Sequence, residues 1–282
     1  MIDEKFFSPH DLGETCDLLA LYGEKAHVLA GGTGLMAMIN KKQLSPKVLI
    51  YIGECGLTYI NDNGDTLRIG ATTSFTDLLH SSRIKEKVPL LAEAVSHIGS
   101  PAIRNMGTVG GNLAIGSPAS DSATALLALG ASLNLISKTE TRIVGCDDFF
   151  IAPGQTVLRP DELIQEIIIP KTTIGAKWGY RKLGRRKGQS ISVVSAAICC
   201  HAVGTKCNGA RIALGAVAPT PVLASEASSL LEGESVEKDL IDKVAKKAAH
   251  EIDPIDDVRS SAWYRRRVSE VLVKRLLLQI FS

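Results

Sequence analysis

A two-domain protein of mixed α and β structure is predicted here by three features. The chain has 282 residues, enough for about two domains at ~150 residues each. Short apolar strands alternate with helical spacings over most of its first part. A small polar break, "KTTIGAK", then separates that part from longer apolar strands and two closing helices, giving domains 1–172 and 176–282.

The elements follow in order. Leu12, Cys16, Leu19 and Ala20 are spaced as one helical face over Pro9 to Gly23. "AHVLAGG" is a strand running into glycines, and "KVLIYIG" is a second strand. "DTLRIGATTSFTDLLHS" gives a strand, a turn and a helix capped by Thr73 or Ser74. "VPLLAEAVSHIGS" is a helix ending near Gly99. Asp121 to Leu129 is a buried helix, and "ASLNLIS" with "TRIVGCDDFF" forms a strand pair. "IAPGQTVLRPDELIQEIIIPK" supplies a turn, a short helix and a strand closed by Pro170, which cannot continue a ladder. Beyond the break come strands in "WGYRKLG", "SISVVSAAICCHAV" and "GARIALGAVA". Helical segments follow at Ala224 to Leu231, Lys238 to Glu251 and Ala262 to Phe281.

Composition narrows the function classes. With 45% hydrophobic and 22% charged residues and a net charge of +2, nothing argues for nucleic acid. The basic runs Arg181 to Lys187 and Arg265 to Arg267 are read as solvated faces. The start, "MIDEKFFSPHDL", is acidic and lacks a signal-peptide apolar region. No stretch approaches the ~18 apolar residues of a membrane span, so a cytoplasmic protein is expected. The six cysteines form no C-x-x-C pair, so no metal or iron–sulfur ligand set is expected. Adjacent Cys199 and Cys200 serve as small hydrophobes in a buried strand.

Two glycine-rich segments carry the chemistry. "VLAGGTGLMA" runs from Val28 to Ala37, and "GTVGGNLAIGSPASDSATALLALGA" from Gly107 to Ala131. Each is read as lying between an apolar strand and a helix, where unpaired amides and the helix dipole favour an anion. Gly31, Gly32 and Gly34 give bare backbone and Thr33 a hydroxyl; Thr108, Gly110, Gly111 and Asn112 do the same from a second direction. Asp121 suits accepting from ribityl or ribose hydroxyls. Two such walls imply a pyrophosphate and hence a dinucleotide, while a tight turn at a strand end is the alternative for either segment alone. Neither segment is a G-x-x-x-x-G-K-[ST] loop or a G-x-G-x-x-G fingerprint.

"LAGGTGLM", "IRNMGTVGGNLAIGSPASD", "PGQTVLRPDELIQEIIIP", "KLGRRKGQSISVVSAA" and "DDVRSSAWYRRRVSEVLVKRLL" occur in order along nearly the whole chain. In this the chain resembles the FAD-binding, or medium, subunits of molybdenum hydroxylases, the family that includes those of xanthine dehydrogenase and carbon monoxide dehydrogenase. The resemblance implies an α+β / α/β fold. It consists of a vanillyl-alcohol-oxidase (PCMH)-type FAD domain of two lobes, about 1–55 and 56–172, and a smaller C-terminal α/β domain like that of the carbon monoxide dehydrogenase flavoprotein. It implies FAD between them. Val28, Leu29, Ala30, Gly31, Gly32, Thr33, Gly34 and Leu35 match the first phosphate-binding segment, and Thr108, Val109, Gly110, Gly111 and Asn112 the second. Asp121 matches an acid near the ribityl chain, Ile164 a residue at the adenine end, and Lys182 a lysine that reaches the flavin; Ile98 is a weaker candidate beside the cofactor. Relatives often carry Asp or Glu where this chain has Gly34, so a side-chain acceptor is lost there.

Plainer readings stand beside these. Lys182 is alternatively a surface lysine, and Asp121 a helix N-cap. His97 and His201 are read as structural, with no carboxylate expected to pair with either at helical spacing. The resemblance implies electron transfer from iron–sulfur clusters on a small partner subunit, through FAD, to an acceptor such as NAD. The molybdopterin would sit on a large partner subunit. No catalytic nucleophile or general base and no metal ligand is expected in this chain, which also lacks the cysteine-bearing insertion of some relatives. A stand-alone flavin reductase of the same superfamily and a non-catalytic cofactor-binding or assembly protein are the rival readings.

Overall fold

The computed structural model describes residues 5–186 and 188–282; residues 1–4 and Lys187, the last member of the first basic run, lie outside the described residues. The first lobe contains β1 (Lys5–Phe7), α1 (Leu12–Tyr22), β2 (Ala26–Leu29), α2 (Leu35–Asn40) and β3 (Val48–Tyr51). Its strands form a parallel sheet in the order β1-β3-β2. The first glycine segment therefore leaves the carboxyl end of a parallel strand and enters a helix, the place where α/β sheets bind ligands. Asp11 starts α1 by accepting the amide of Glu14.

The second lobe runs through β4 (Ile60–Asp62), β5 (Thr66–Gly70), α3 (Phe75–His80), α4 (Ser82–Lys87), α5 (Pro89–Ser96), α6 (Pro101–Met106), α7 (Val109–Ala114), α8 (Asp121–Ala128), β6 (Ser132–Ile136), β7 (Thr141–Gly145), α9 (Cys146–Phe149), β8 (Phe150–Ala152), β9 (Gln155–Thr156) and β10 (Leu163–Pro170). Its main sheet is antiparallel, in the order β4-β5-β10-β6-β7. Ser74 closes a capping box with Asp77 at the start of α3. Two expectations fail here. The "DELIQEI" stretch holds no helix: after a turn at Pro160–Asp161 it passes directly into β10. β-branched Ile164 and Ile167 to Ile169 suit a central strand better than a short helix. The second glycine segment follows α6, not a strand, and its glycines form the first turn of α7.

The C-terminal part comprises β11 (Lys177–Gly184), β12 (Ser192–Val203), β13 (Lys206–Gly215), β14 (Val222–Leu223), α10 (Ser225–Ser229), α11 (Lys238–His250) and α12 (Ala262–Phe281). The four strands form one antiparallel sheet. β12 reads as an unbroken apolar run because both its faces are covered. Ala197 and Cys199 face the core of the second lobe, while Val194, Ala196, Ile198 and Cys200 face α11 and α12.

The small residues after Asn112 now have a reason. All eight residues of α8 are buried, between the second-lobe core and the sheet formed by β11–β14. Ser122, Ala123, Thr124 and Ala125 keep that helix thin, so Thr124 meets Ser195 of β12 hydroxyl to hydroxyl at 3.2 Å. No helix among the described residues is long and apolar enough to cross a membrane.

Candidate functional site: a cleft between two glycine segments

The two glycine segments meet. A Cβ at Gly31 would lie 1.6 Å from the carbonyl oxygen of Met106, immediately before the second segment, and one at Gly34 would lie 2.0 Å from Cδ1 of Ile115, within it. A cleft of about 460 Å³ opens beside this contact, lined by Ala30, Gly31, Met106 and Thr108 with Thr72, Ser74, Thr76, Asp77 and Asn105. Its walls mix hydroxyls, amides and bare backbone with Tyr51 and Met106. Its one carboxylate, Asp77, is committed to the capping box with Ser74.

The segments differ in what they leave free. Among the described residues, the amides of Gly31, Gly32, Thr33 and Gly34 have no backbone acceptor. The second segment has spent its own. Val109 donates to Thr73 O at 3.0 Å, Gly110 to Ala71 O at 2.9 Å and Asn112 to Thr108 O at 3.0 Å. Gly111 donates to the Thr108 hydroxyl at 3.2 Å, which makes Thr108 the N-cap of α7. Gly110 is small for a packing reason: a Cβ there would come within 2.6 Å of Ala71 Cβ. The second wall is thus a rigid, capped helix start, and the first is an open row of donors. That donor set, beside a cleft of this size, fits a pyrophosphate. Leu35, which opens α2, and Val28 and Leu29, on β2, flank the donors.

Ile98, Asp121, Ile164 and Lys182 do not line this cleft. Ile164 is 5% exposed in the core of the second lobe, at a bulge of β10. Ile98 packs at the edge of the same core, and its carbonyl accepts from Arg104 at 2.9 Å. Asp121 and Lys182 are brought to each other, with Lys182 Nζ 2.6 Å from Asp121 Oδ2 and 2.9 Å from the carbonyl of His97. The other oxygen of Asp121 accepts from Tyr180 Oη at 2.8 Å and Ser192 Oγ at 2.7 Å. Lys182 is therefore no solvated surface lysine. Nor is Asp121 the helix cap: Ser120 holds that place, accepting from Ala123, and Asp121 is the first residue of α8.

Burial pushes the Tyr180 phenol well above its ordinary range, and the adjacent Asp121 charge adds to this. Tyr180 and Ser192 escaped the sequence reading. A signal for Tyr180 was present, because it stands two residues before Lys182 on one strand and so shares its face. His97 does have a carboxylate at helical spacing, Glu93, at 3.2 Å on an exposed face. His201 Nε2 contacts the carbonyl of Thr172. Among the described residues, no three His, Cys, Asp or Glu side chains are grouped to hold a metal ion.

Comparison with known proteins places this geometry. Residues 2–172 match the model of the FAD binding domain in molybdopterin dehydrogenase, and residues 178–280 that of the CO dehydrogenase flavoprotein C-terminal domain. The chain is 34% identical over 274 residues to the carbon monoxide dehydrogenase medium chain of Hydrogenophaga pseudoflava, covering 97% of this chain and 95% of that one. It is 34% identical over 253 residues to the glyceraldehyde dehydrogenase medium chain of Sulfolobus acidocaldarius, covering 89% of each. The solved carbon monoxide dehydrogenase of Hydrogenophaga pseudoflava contains a chain that superposes with a TM-score of 0.95 at 33% identity, covering 99% of this chain and 97% of that one. With both of its domains matched in order and a relative aligned over nearly its whole length, the chain belongs to the FAD-binding medium-subunit family of the molybdenum hydroxylases.

Proposed function

We infer that this chain is the electron-transfer subunit of a molybdenum-containing dehydrogenase. It takes electrons from the iron–sulfur clusters of a small partner subunit, beside a molybdopterin-bearing large subunit, and delivers them through FAD to an acceptor such as NAD. Residues 1–172 form the FAD-binding unit and 176–282 the second domain. The observation that carries the reading is the row of open amides from Gly31 to Gly34, of which Gly31 lines one cleft with Thr108, the N-cap of α7.

The redox chemistry is supplied by FAD when it is bound; the chain supplies position, electrostatics and exclusion of water. The amides of Gly31 to Gly34, with the Thr33 hydroxyl, would take the pyrophosphate oxygens. Thr108 closes the site from the other side, backed by Val109 to Asn112. The two segments hold each other through the Gly31–Met106 approach, so the donors are fixed before a ligand arrives. Ile164 would stand at the adenine end and Ile98 beside the cofactor, with Asp121 near the ribityl chain and Lys182 reaching the flavin. A stand-alone reductase would need a free acid in its cleft, and Asp77 is already committed.

The test is rapid mixing of the purified complex with its oxidisable substrate. The expected result is flavin bleaching that precedes reduction of the acceptor. A holo-chain that bleaches with NADH yet stays inert when the partner subunits and substrate are present would overturn the relay.

A further inference from the structure

α2 is a helix without a buried residue. Leu35 to Ile39 are all apolar, yet each is at least partly exposed. So short a helix has little stability of its own and depends on what packs against it.

The exposure continues across the contact between the glycine segments. Met36 Cγ lies 3.3 Å from where Gly32 would carry a Cβ, just as Ile115 reaches Gly34 and the Met106 carbonyl reaches Gly31. Ile103 stands one turn before Met106 on α6. Met36, Met38, Ile103, Met106 and Ile115 are each between 38 and 58% exposed. Large apolar side chains from α2, α6 and the end of α7 thus form one patch around the glycine segments. An apolar patch of this kind marks an interaction site, and methionine suits one because it adapts to a partner's shape.

Two further observations say what covers it. Met106 belongs to the cofactor cleft as well as to the patch, so the covering molecule sits at the edge of that cleft. The border of the patch is basic: exposed Lys41 and Lys42 end α2, and Lys42 holds a left-handed backbone, φ 57°, that glycine adopts with less strain. A partner that holds iron–sulfur clusters in cysteine thiolates brings negative charge, which a basic border attracts and orients.

We propose that this patch is the docking face for the small iron–sulfur subunit. The assignment rests on the electron-relay reading above. The methionines and isoleucines make the apolar contact, and Lys41 and Lys42 speed and orient the encounter. Docking here closes the Met106 side of the cleft to water.

The experiment compares hydrogen exchange in the free chain and in the assembled complex. Amides of residues 35–42 and 103–106 should exchange at least about tenfold more slowly on assembly. The variants are then added back to small subunit separated from the complex. Met38→Glu should weaken binding about tenfold or more. Lys41→Glu combined with Lys42→Glu should slow association several-fold at low salt, a difference that high salt removes. Neither change should move the FAD dissociation constant by more than about twofold, which separates docking from damage to the cofactor site. Exchange at these segments equal to that of the free chain overturns the docking face and leaves the relay standing. So does protection confined to Val258 and Trp263, the exposed apolar pair of the C-terminal domain. Protection that survives removal of the small subunit, and so comes from the large subunit or a second copy of this chain, overturns it too. A chain that assembles with no iron–sulfur subunit sinks the relay and the docking face together.

Discussion

Gly31 and Met106 fix the separation of the two cofactor walls, since the Met106 carbonyl oxygen occupies the space of a side chain on residue 31. The obstacle is backbone and has no rotamer to turn. Gly31→Ala should therefore push the segments apart, costing about 1–3 kcal/mol of stability and at least roughly tenfold in FAD affinity. Flavin titration alongside a urea melt measures both. A variant that binds FAD as wild type does would show that the contact does not set the cleft.

Gly34 predicts the opposite outcome. What a Cβ would meet there is the tip of Ile115, a 38% exposed side chain free to turn away. The backbone at Gly34 has φ −95°, which any residue adopts. Gly34→Asp should cost less than about 1 kcal/mol in a thermal melt and leave the chain able to bind FAD. A loss as large as that at Gly31 would contradict this account of the site.

Arg265, expected on a solvated face, is instead buried and anchors the C-terminal domain. Its side chain is 2% exposed and donates to the carbonyls of Val193 and Ala216 at 2.8 and 2.7 Å and to Asp257 at 2.6 Å. Arg265→Ala leaves two buried carbonyls without donors and should destabilise by about 3–5 kcal/mol in chemical denaturation.

Acid should attack the same cluster. Burial raises the Asp257 carboxyl, but hydrogen bonds from Arg259 and the charges of Arg259 and Arg265 outweigh it and hold the group well below the usual carboxylate range. Glu162 is raised by burial and lowered further by Arg142 and Arg159, with the same net direction. Depressed groups stabilise the fold fully above their unfolded range. Melting midpoints should therefore stay level down to about pH 5 and fall below about pH 4 as these carboxylates take up protons. Asp257→Asn should flatten that fall.

All six cysteines are buried and free, and burial pushes the thiols of Cys146 and Cys199 up to about 12. The folded chain should react negligibly with a thiol reagent at pH 8 and yield six thiols once denatured. Fast labelling of Cys199, Cys200 or Cys207 in the native chain would show an open C-terminal sheet.

Much of this was legible in the residues. The strand–glycine–helix order of Val28 to Ala37 was readable, an apolar run leading through bare backbone into α2. The long α12 was readable residue for residue at Ala262 to Phe281. What escaped was tertiary. The glycines at 110 and 111 looked like free donors, but their amides are spent on Ala71 and Thr108, partners that no local pattern announces. The bond between Asp121 and Lys182 was hidden by their distance in sequence, since the resemblance marked each residue alone.

The most direct measurement is the absorption spectrum of the purified chain, followed by identification of any nucleotide released on denaturation. The account predicts flavin absorption and FAD as the released nucleotide, with both lost in Gly31→Ala. A colourless protein that also refuses added FAD would contradict it, since the open amides of Gly31 to Gly34 would then have no pyrophosphate to hold.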